Sequence, residues 1–185
     1  MALFMGVVQK SKLEKRKRKT TEQELMEHDL PDWKDFRQVV IAGYPPFVKD
    51  ILDEAAAEGM DLKSMRLRLL FAAEPYSEGF RDHVAGKAGL ANLHLDTMNI
   101  YGTAEMGAMA FETPLAILLR REAVARKRTQ DIFGSVPRLP TLAQYNPLFI
   151  HFETEEDHLL LTGDNAMPLV RYAVGDRGGT LGYSE

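Results

Sequence analysis

Val39-Val40-Ile41-Ala42-Gly43-Tyr44-Pro45-Pro46-Phe47 is the stretch on which the fold turns. Four apolar residues, three of them β-branched, read as a short buried strand. Gly43 to Pro46 reads as a turn. A helix follows, with proline suited to its first turn, Phe47, Ile51, Leu52 and Ala55 on one face, and Gly59 marking its end. The same alternation then repeats. Leu67 to Ala73 is the next strand, Ser77 can cap a helix that turns Phe80 and Val84 inward, and Leu93 to Ile100 supplies a third strand. Three strand units of this kind predict an α/β fold built on a parallel sheet, whose carboxyl-edge loops are where ligands usually sit.

Further along the pattern changes. Thr113-Pro114 is a good helix start, with Leu115, Leu118, Leu119 and Ala123 as the expected apolar face and Arg126, Lys127 and Arg128 at the negative end of the dipole. Beyond Pro140 the chain reads as β over Thr141–Tyr145, Phe149–Glu153 and Leu159–Thr162, the last two joined by an acidic turn at Glu155-Glu156-Asp157. The expected organisation is therefore a basic segment over 1–37, flexible in part, an α/β unit over 38–135, and a small antiparallel β subdomain over 136–185.

With 185 residues, 45% hydrophobic and 27% charged, the chain can bury a core. It has no cysteine, which excludes disulfides, a thiolate metal site and a thiol nucleophile. No apolar run approaches the roughly 20 residues that span a bilayer. The basic residues follow the opening apolar stretch, the reverse of a signal peptide, so a cytoplasmic protein with no membrane partner is expected. Residues 10–19 carry a local charge of +6, which leaves the rest at about -10 within a total of -4. That basic run lacks the aromatic residues that stack bases, so nucleic acid is not an expected partner.

Three short motifs can carry chemistry. Tyr101-Gly102-Thr103-Ala104-Glu105 directly follows the third expected strand. A tyrosine face can stack on a purine, a glycine admits a phosphate to the backbone, a hydroxyl can bond it, and a carboxylate can hold Mg²⁺. Ala72-Ala73-Glu74-Pro75 stands in the matching place after the second strand. The run Pro168-Leu169-Val170-Arg171-Tyr172-Ala173-Val174-Gly175-Asp176 ends in a Gly-Asp turn whose carboxylate can accept from a sugar diol. Each motif alone also has an ordinary reading as a strand end or a turn. His94 with Asp96, and His151 with Glu153, each alternate on an expected strand, but two ligands without a third make a poor metal site.

Taken in order and spacing, the three motifs resemble those of the adenylate-forming superfamily, and the Glu74-Pro75 loop and the Pro-Leu-Val-Arg-Tyr approach to Gly-Asp are most similar to the phenylacetate-CoA ligase branch. The resemblance covers residues 38 to 180 and implies the carboxyl-terminal part of that family's large domain. It implies that Ala73, Glu74 and Pro75 line an adenine pocket, Tyr101 stacks on the base beside Gly102, Thr103 contacts the α-phosphate, Glu105 binds Mg²⁺, and Asp176 holds the ribose. Arg171 falls in the same cofactor-binding motif, where bracing the loop is its expected role. Ala173 departs from the family, which commonly has arginine or lysine there. The implied reaction activates a small carboxylic acid with ATP and passes it to CoA. The phosphate loop upstream and the lid domain downstream that such a ligase needs are not in the sequence, so the expectation is an incomplete core that does not turn over alone. A non-catalytic nucleotide- or partner-binding remnant of the same fold is the alternative.

Overall fold

The computed structural model describes residues 5–6, 36–136, 138–164 and 167–181, with side chains from residue 36 on. Most of the basic segment expected over 1–37 therefore lies outside the described residues. Among the described residues the large sheet has six strands in sequential order: β1 (Met5–Gly6), β2 (Val39–Gly43), β3 (Leu67–Ala72), β4 (Thr97–Thr103), β5 (Gly107–Phe111) and β6 (Gln144–Tyr145). The first four are parallel and the last two antiparallel. A separate antiparallel meander holds β7 (Ile150–Glu155), β8 (His158–Gly163) and β9 (Leu169–Arg177). The fold is thus mixed α/β, a parallel-strand sheet with a small antiparallel sheet beside it.

Local chemistry explains the helix ends. Helix α1 (Pro45–Ala57) starts on its proline and stops at Gly59, whose φ of 76° lets its N–H bond Ala56 O while Met60 N–H bonds Ala55 O, the paired bonds of a glycine C-cap. Helix α2 (Glu78–Ala88) is capped as expected by Ser77, whose hydroxyl accepts from Phe80 N–H. Val48 and Leu52 of α1 and Val84 and Ala88 of α2 pack on Leu67, Leu69 and Phe71 of β3. Each of these side chains other than Ala88 contributes about 1.5–3 kcal/mol of apolar burial.

Several expectations need correction. Phe47 is exposed and meets the Tyr44 ring edge-on, and Val48 takes its place in the core. The third strand begins at Thr97, because Leu93–Asp96 forms a helical turn, α3, with reciprocal caps. The Asn92 side chain accepts from His94 N–H and the Asp96 carboxylate accepts from Asn92 N–H. His94 and Asp96 therefore do not alternate on a strand. Tyr101 to Thr103 are still inside β4, and the chain turns straight back into β5, a hairpin that the expected three-strand pattern lacked. Of Thr141–Tyr145 only Gln144–Tyr145 is a strand, and it pairs with β5 in the large sheet.

Helix α4 (Pro114–Ala125), capped by the Thr113 hydroxyl, buries Ala116, Ile117, Arg120 and Ala123, while Leu115, Leu118 and Leu119 stay 42% to 62% exposed. The inward face is set by Arg120, which must meet buried carboxylates. A short α5 (Thr129–Phe133) follows. On the side of the large sheet away from α1 and α2, cross-strand pairing lines up two apolar rows, Ala42–Leu70–Met98 and Ala72–Ile100–Phe111. Met98 and Phe111 are exposed there. Among the described residues no helix is long and apolar enough to cross a membrane.

Candidate functional site at the carboxyl edge of the large sheet

The segments after β2, β3 and β4 all leave the same edge, because those strands are parallel neighbours in register. After β2, the Tyr44 hydroxyl donates to the Glu74 carboxylate, and this bond, with burial and the negative charge adding to it, holds the phenol above its ordinary range. Glu74 stands in the segment after β3, next to Ala73, whose φ of 79° is in the left-handed region. Such a conformation costs an alanine roughly 1–2 kcal/mol and persists only where neighbours hold it.

At the end of β4 a cross-sheet contact forms. The Tyr101 hydroxyl donates to Asp176 Oδ2 at 2.8 Å, across 75 residues of sequence. Burial first, then the bond and charge of Asp176, pushes the Tyr101 phenol well above 10. The ring also lies 6.2 Å from Phe152 of β7, part of an apolar cluster of Met106, Met109, Ile150, Phe152, Leu159 and Leu161 that joins the two sheets. Asp176 reaches Tyr101 because β9 bulges. Between the pairs His158↔Arg177 and Leu160↔Ala173 it holds two more residues than β8, with Gly175 at φ 83°. This Gly-Asp pair therefore lies within a strand and not after it.

Glu105 sits in the tight β4–β5 connection. Its own backbone N–H, then the Thr103 hydroxyl, then the Tyr172 hydroxyl stabilise the carboxylate and hold its pKa below the ordinary value, against slight desolvation. The Tyr172 bond measures 3.3 Å. Thr103 Oγ1 also accepts from Met106 N–H. Gly102 is required by its own hairpin: a Cβ there would stand 2.3 Å from Gly107 O. Arg171 joins none of these contacts. It pairs with Glu155 at 3.3 Å and Glu153 at 3.9 Å on β7, and its N–H bonds Thr162.

The structure thus brings Tyr101 to Asp176 and Thr103 to Glu105. It sets Glu74 and Pro75 one strand away on the same edge, and leaves Arg171 in the small sheet. Sequence reasoning missed Tyr44 and Tyr172. Tyr172 lies four residues before Asp176, a spacing that alternation would have put on one face, and Tyr44 follows β2 as Glu74 follows β3. A depression of about 360 Å³ lined by Met106, Ala108, Leu148, Phe149, Ile150 and Asp164 lies beside this edge, and none of the candidate site residues named from sequence lines it.

Chemically the edge offers three exposed carboxylates with different partners, Glu74 with Tyr44, Glu105 with Tyr172 and Asp176 with Tyr101. Asp176 is an acceptor already oriented by one hydroxyl, which leaves lone pairs for further donors. Glu105 is held ionised in the open. Among the described residues no group of three or more His, Asp or Glu is placed to cage a metal. One ionised carboxylate fits Mg²⁺, which commonly takes one or two carboxylates and fills its remaining positions with phosphate oxygens and water.

No protein-family model matches the chain. No curated protein matches it either. Among solved structures, the chain is similar to a 2-hydroxyisobutyryl-CoA ligase in an open conformation in complex with 2-HIB-AMP and CoA, with a TM-score of 0.53 and 14% identity over 78% of this chain and 29% of that one. The same ligase in its postadenylation state with 2-HIB-AMP gives a TM-score of 0.53 and 14% identity over 78% and 28%. With R3-HIB-AMP it gives 0.53 and 15% over the same shares. The chain spans less than a third of the ligase's length. At that identity the likeness is one of fold alone, a mixed α/β fold shared with part of that ligase.

Proposed function

We propose that this chain carries the nucleotide-handling core of an acyl-adenylating ligase of the phenylacetate-CoA ligase type. The observation that supports it most is the 2.8 Å bond between Tyr101 and Asp176, which joins two of the three motifs across two sheets. In this reading adenosine lies along the carboxyl edge. Ala73, Glu74 and Pro75 border the base, Tyr101 stacks on it next to Gly102, and Asp176 accepts from the ribose hydroxyls. Thr103 contacts the α-phosphate, its one hydroxyl proton turning there from Glu105. Arg171 braces β9, and so the Asp176 bulge, through Glu155 and Glu153.

The reaction needs little acid-base help. A carboxylate is already ionised at pH 7, so one of its oxygens attacks the α-phosphorus of ATP and pyrophosphate leaves with the bonding electrons. The CoA thiol then gives up its proton to solvent, its sulfur attacks the acyl carbon, and AMP departs with the electrons of the broken C–O bond. Mg²⁺, bound at Glu105, would neutralise phosphate charge. Glu105 suits that task because its own backbone N–H and the Tyr172 hydroxyl keep it anionic. The phosphate loop and lid would come from polypeptide beyond these 185 residues, so the isolated chain is expected to bind nucleotide weakly and to release no pyrophosphate. Removing one charge-stabilising group typically costs about 10²- to 10³-fold in rate.

Titration calorimetry with AMP and with ATP and Mg²⁺, beside a pyrophosphate assay over aryl and aliphatic acids, tests the reading. Binding that is lost in Asp176→Asn supports it. Binding without release from a reconstituted full-length ligase favours the non-catalytic remnant. Absence of any adenosine binding overturns the ligase reading and the nucleotide-binding remnant alike, and leaves only a partner-binding remnant.

A further inference from the structure

Beneath the proposed nucleotide edge lies a buried ionic quartet that the reading above does not use. Arg81 and Arg120 have no exposure at all, and Glu112 and Glu78 are 3% and 6% exposed. Glu112 follows β5 directly. Its Oε1 accepts from Arg81 Nη2 and Arg120 Nη1, both at 2.8 Å. Its Oε2 accepts from Arg81 Nη2 and from the backbone N–H of Asn99 in β4, both at 2.9 Å. Glu78, at the start of α2, takes Arg81 Nε at 2.9 Å and pairs with Arg120 Nη1 at 3.0 Å. Arg81 also bonds the Thr97 hydroxyl of β4 at 2.8 Å. Two cations and two anions balance, so no net charge is buried.

The quartet grips the segment after β3. Arg120 Nη2 donates to the backbone oxygen of Tyr76 at 3.0 Å. The Arg81 guanidinium lies 4.9 Å from the centroid of the Tyr76 ring. The Tyr76 hydroxyl points to Glu112 Oε2 at 3.5 Å. Tyr76 follows Ala73-Glu74-Pro75, and Ala73 is the residue held at positive φ. The same carboxylate that takes the arginines also takes the N–H of Asn99, two residues before Tyr101. One buried group thus touches both the 73–76 segment and the strand that presents Tyr101.

Stability alone is a poor account of this arrangement. Apolar residues of equal volume commonly serve a core as well as a buried ion pair does, while ion pairs fix geometry. The Nε of Arg120 is buried without a partner among the described residues, a cost that an apolar side chain would avoid.

We infer that Glu112 and Arg120 are positioning residues that set the 73–76 segment against Tyr101, and so determine the shape of the adenosine site. The inference rests on the proposed nucleotide reading for its consequence, but not for the brace itself. The test uses Arg120→Lys, which keeps the charge balance but whose single ammonium cannot span both Glu112 and the Tyr76 oxygen. Ile117→Val, a core truncation on the same helix, is the control for plain loss of stability.

Two readouts are taken on folded protein: hydrogen exchange of a peptide covering residues 72–77, and calorimetric AMP affinity. The expected result for Arg120→Lys is faster exchange in that peptide and AMP affinity weakened about 10-fold, a size that substitutions without ligand contact reach through a packed network. The control should change neither at equal thermal stability. Glu112→Gln should behave like Arg120→Lys. Unchanged exchange in Arg120→Lys overturns the brace. Faster exchange with unchanged affinity overturns its role in the site. If the parent protein binds no AMP, the nucleotide reading and this consequence fall together, and the exchange result still decides the brace.

Discussion

Tyr101 is half-buried against Phe152, with its hydroxyl committed to Asp176. Because its pKa is raised, this contribution to stability is fully present below the ordinary phenol value of 10.0 and is lost as pH rises beyond it. An absorbance titration should find tyrosines that resist ionisation well past pH 10, Tyr76 and Tyr44 among them, with one fewer in Tyr101→Phe and one shifted part of the way back toward 10 in Asp176→Asn. Tyr101→Phe should cost about 1 kcal/mol, the net value of one hydrogen bond, measured by urea unfolding at pH 7. Asp53 has the opposite sign. Hydrogen bonds from Lys49 and then Lys87 lower its pKa from 3.8 to about 2, linking α1 to α2. Its contribution is present above 3.8 and fades as pH falls through about 2, so thermal unfolding of Asp53→Asn should show a shallower acid slope than the parent between pH 4 and 2.

The β4–β5 hairpin and α4 show what an element demands beyond its hydrophobic pattern. Gly102→Ala would force a methyl into the Gly107 carbonyl. It should cost about 1–3 kcal/mol by overpacking, read as a lower urea midpoint with unchanged slope. On α4, Leu118→Gln should stay within about 0.5 kcal/mol of the parent, and Ile117→Ala should cost about 2–5 kcal/mol. The leucines of α4 mislead a reader of sequence because apolar periodicity assigns charged residues to solvent, and here the buried face is organised by Arg120. Its carboxylate partners, Glu78 and Glu112, are 42 and 8 residues away, and no local spacing announces them. The β2, β3, α1 and α2 units were legible because their caps and apolar runs are local. The third strand was read four residues too early, since Asn92 and Asp96 cap one another through a pairing that hydropathy does not register. The Tyr101 and Asp176 motifs were singled out by residue type and by resemblance, but their contact depends on a bulge in β9 that composition does not encode.

Across the molecule, one face of the large sheet is covered by α1 and α2, and on the other, among the described residues, Met98 and Phe111 are exposed at the ends of two apolar rows. Parallel sheets are usually covered on both faces. Met98→Lys with Phe111→Thr should therefore reduce binding of a hydrophobic dye and concentration-dependent association, while leaving monomer stability within about 0.5 kcal/mol. The 75-residue span between Tyr101 and Asp176 has a kinetic corollary. The β7-β8-β9 meander joins sequence neighbours and can assemble on local contacts, whereas docking it on β4 must close a far larger loop. The Tyr101–Asp176 contact should accordingly form after the rate-limiting barrier. Asp176→Asn would then accelerate unfolding in stopped-flow experiments and leave the folding limb of the chevron where it was.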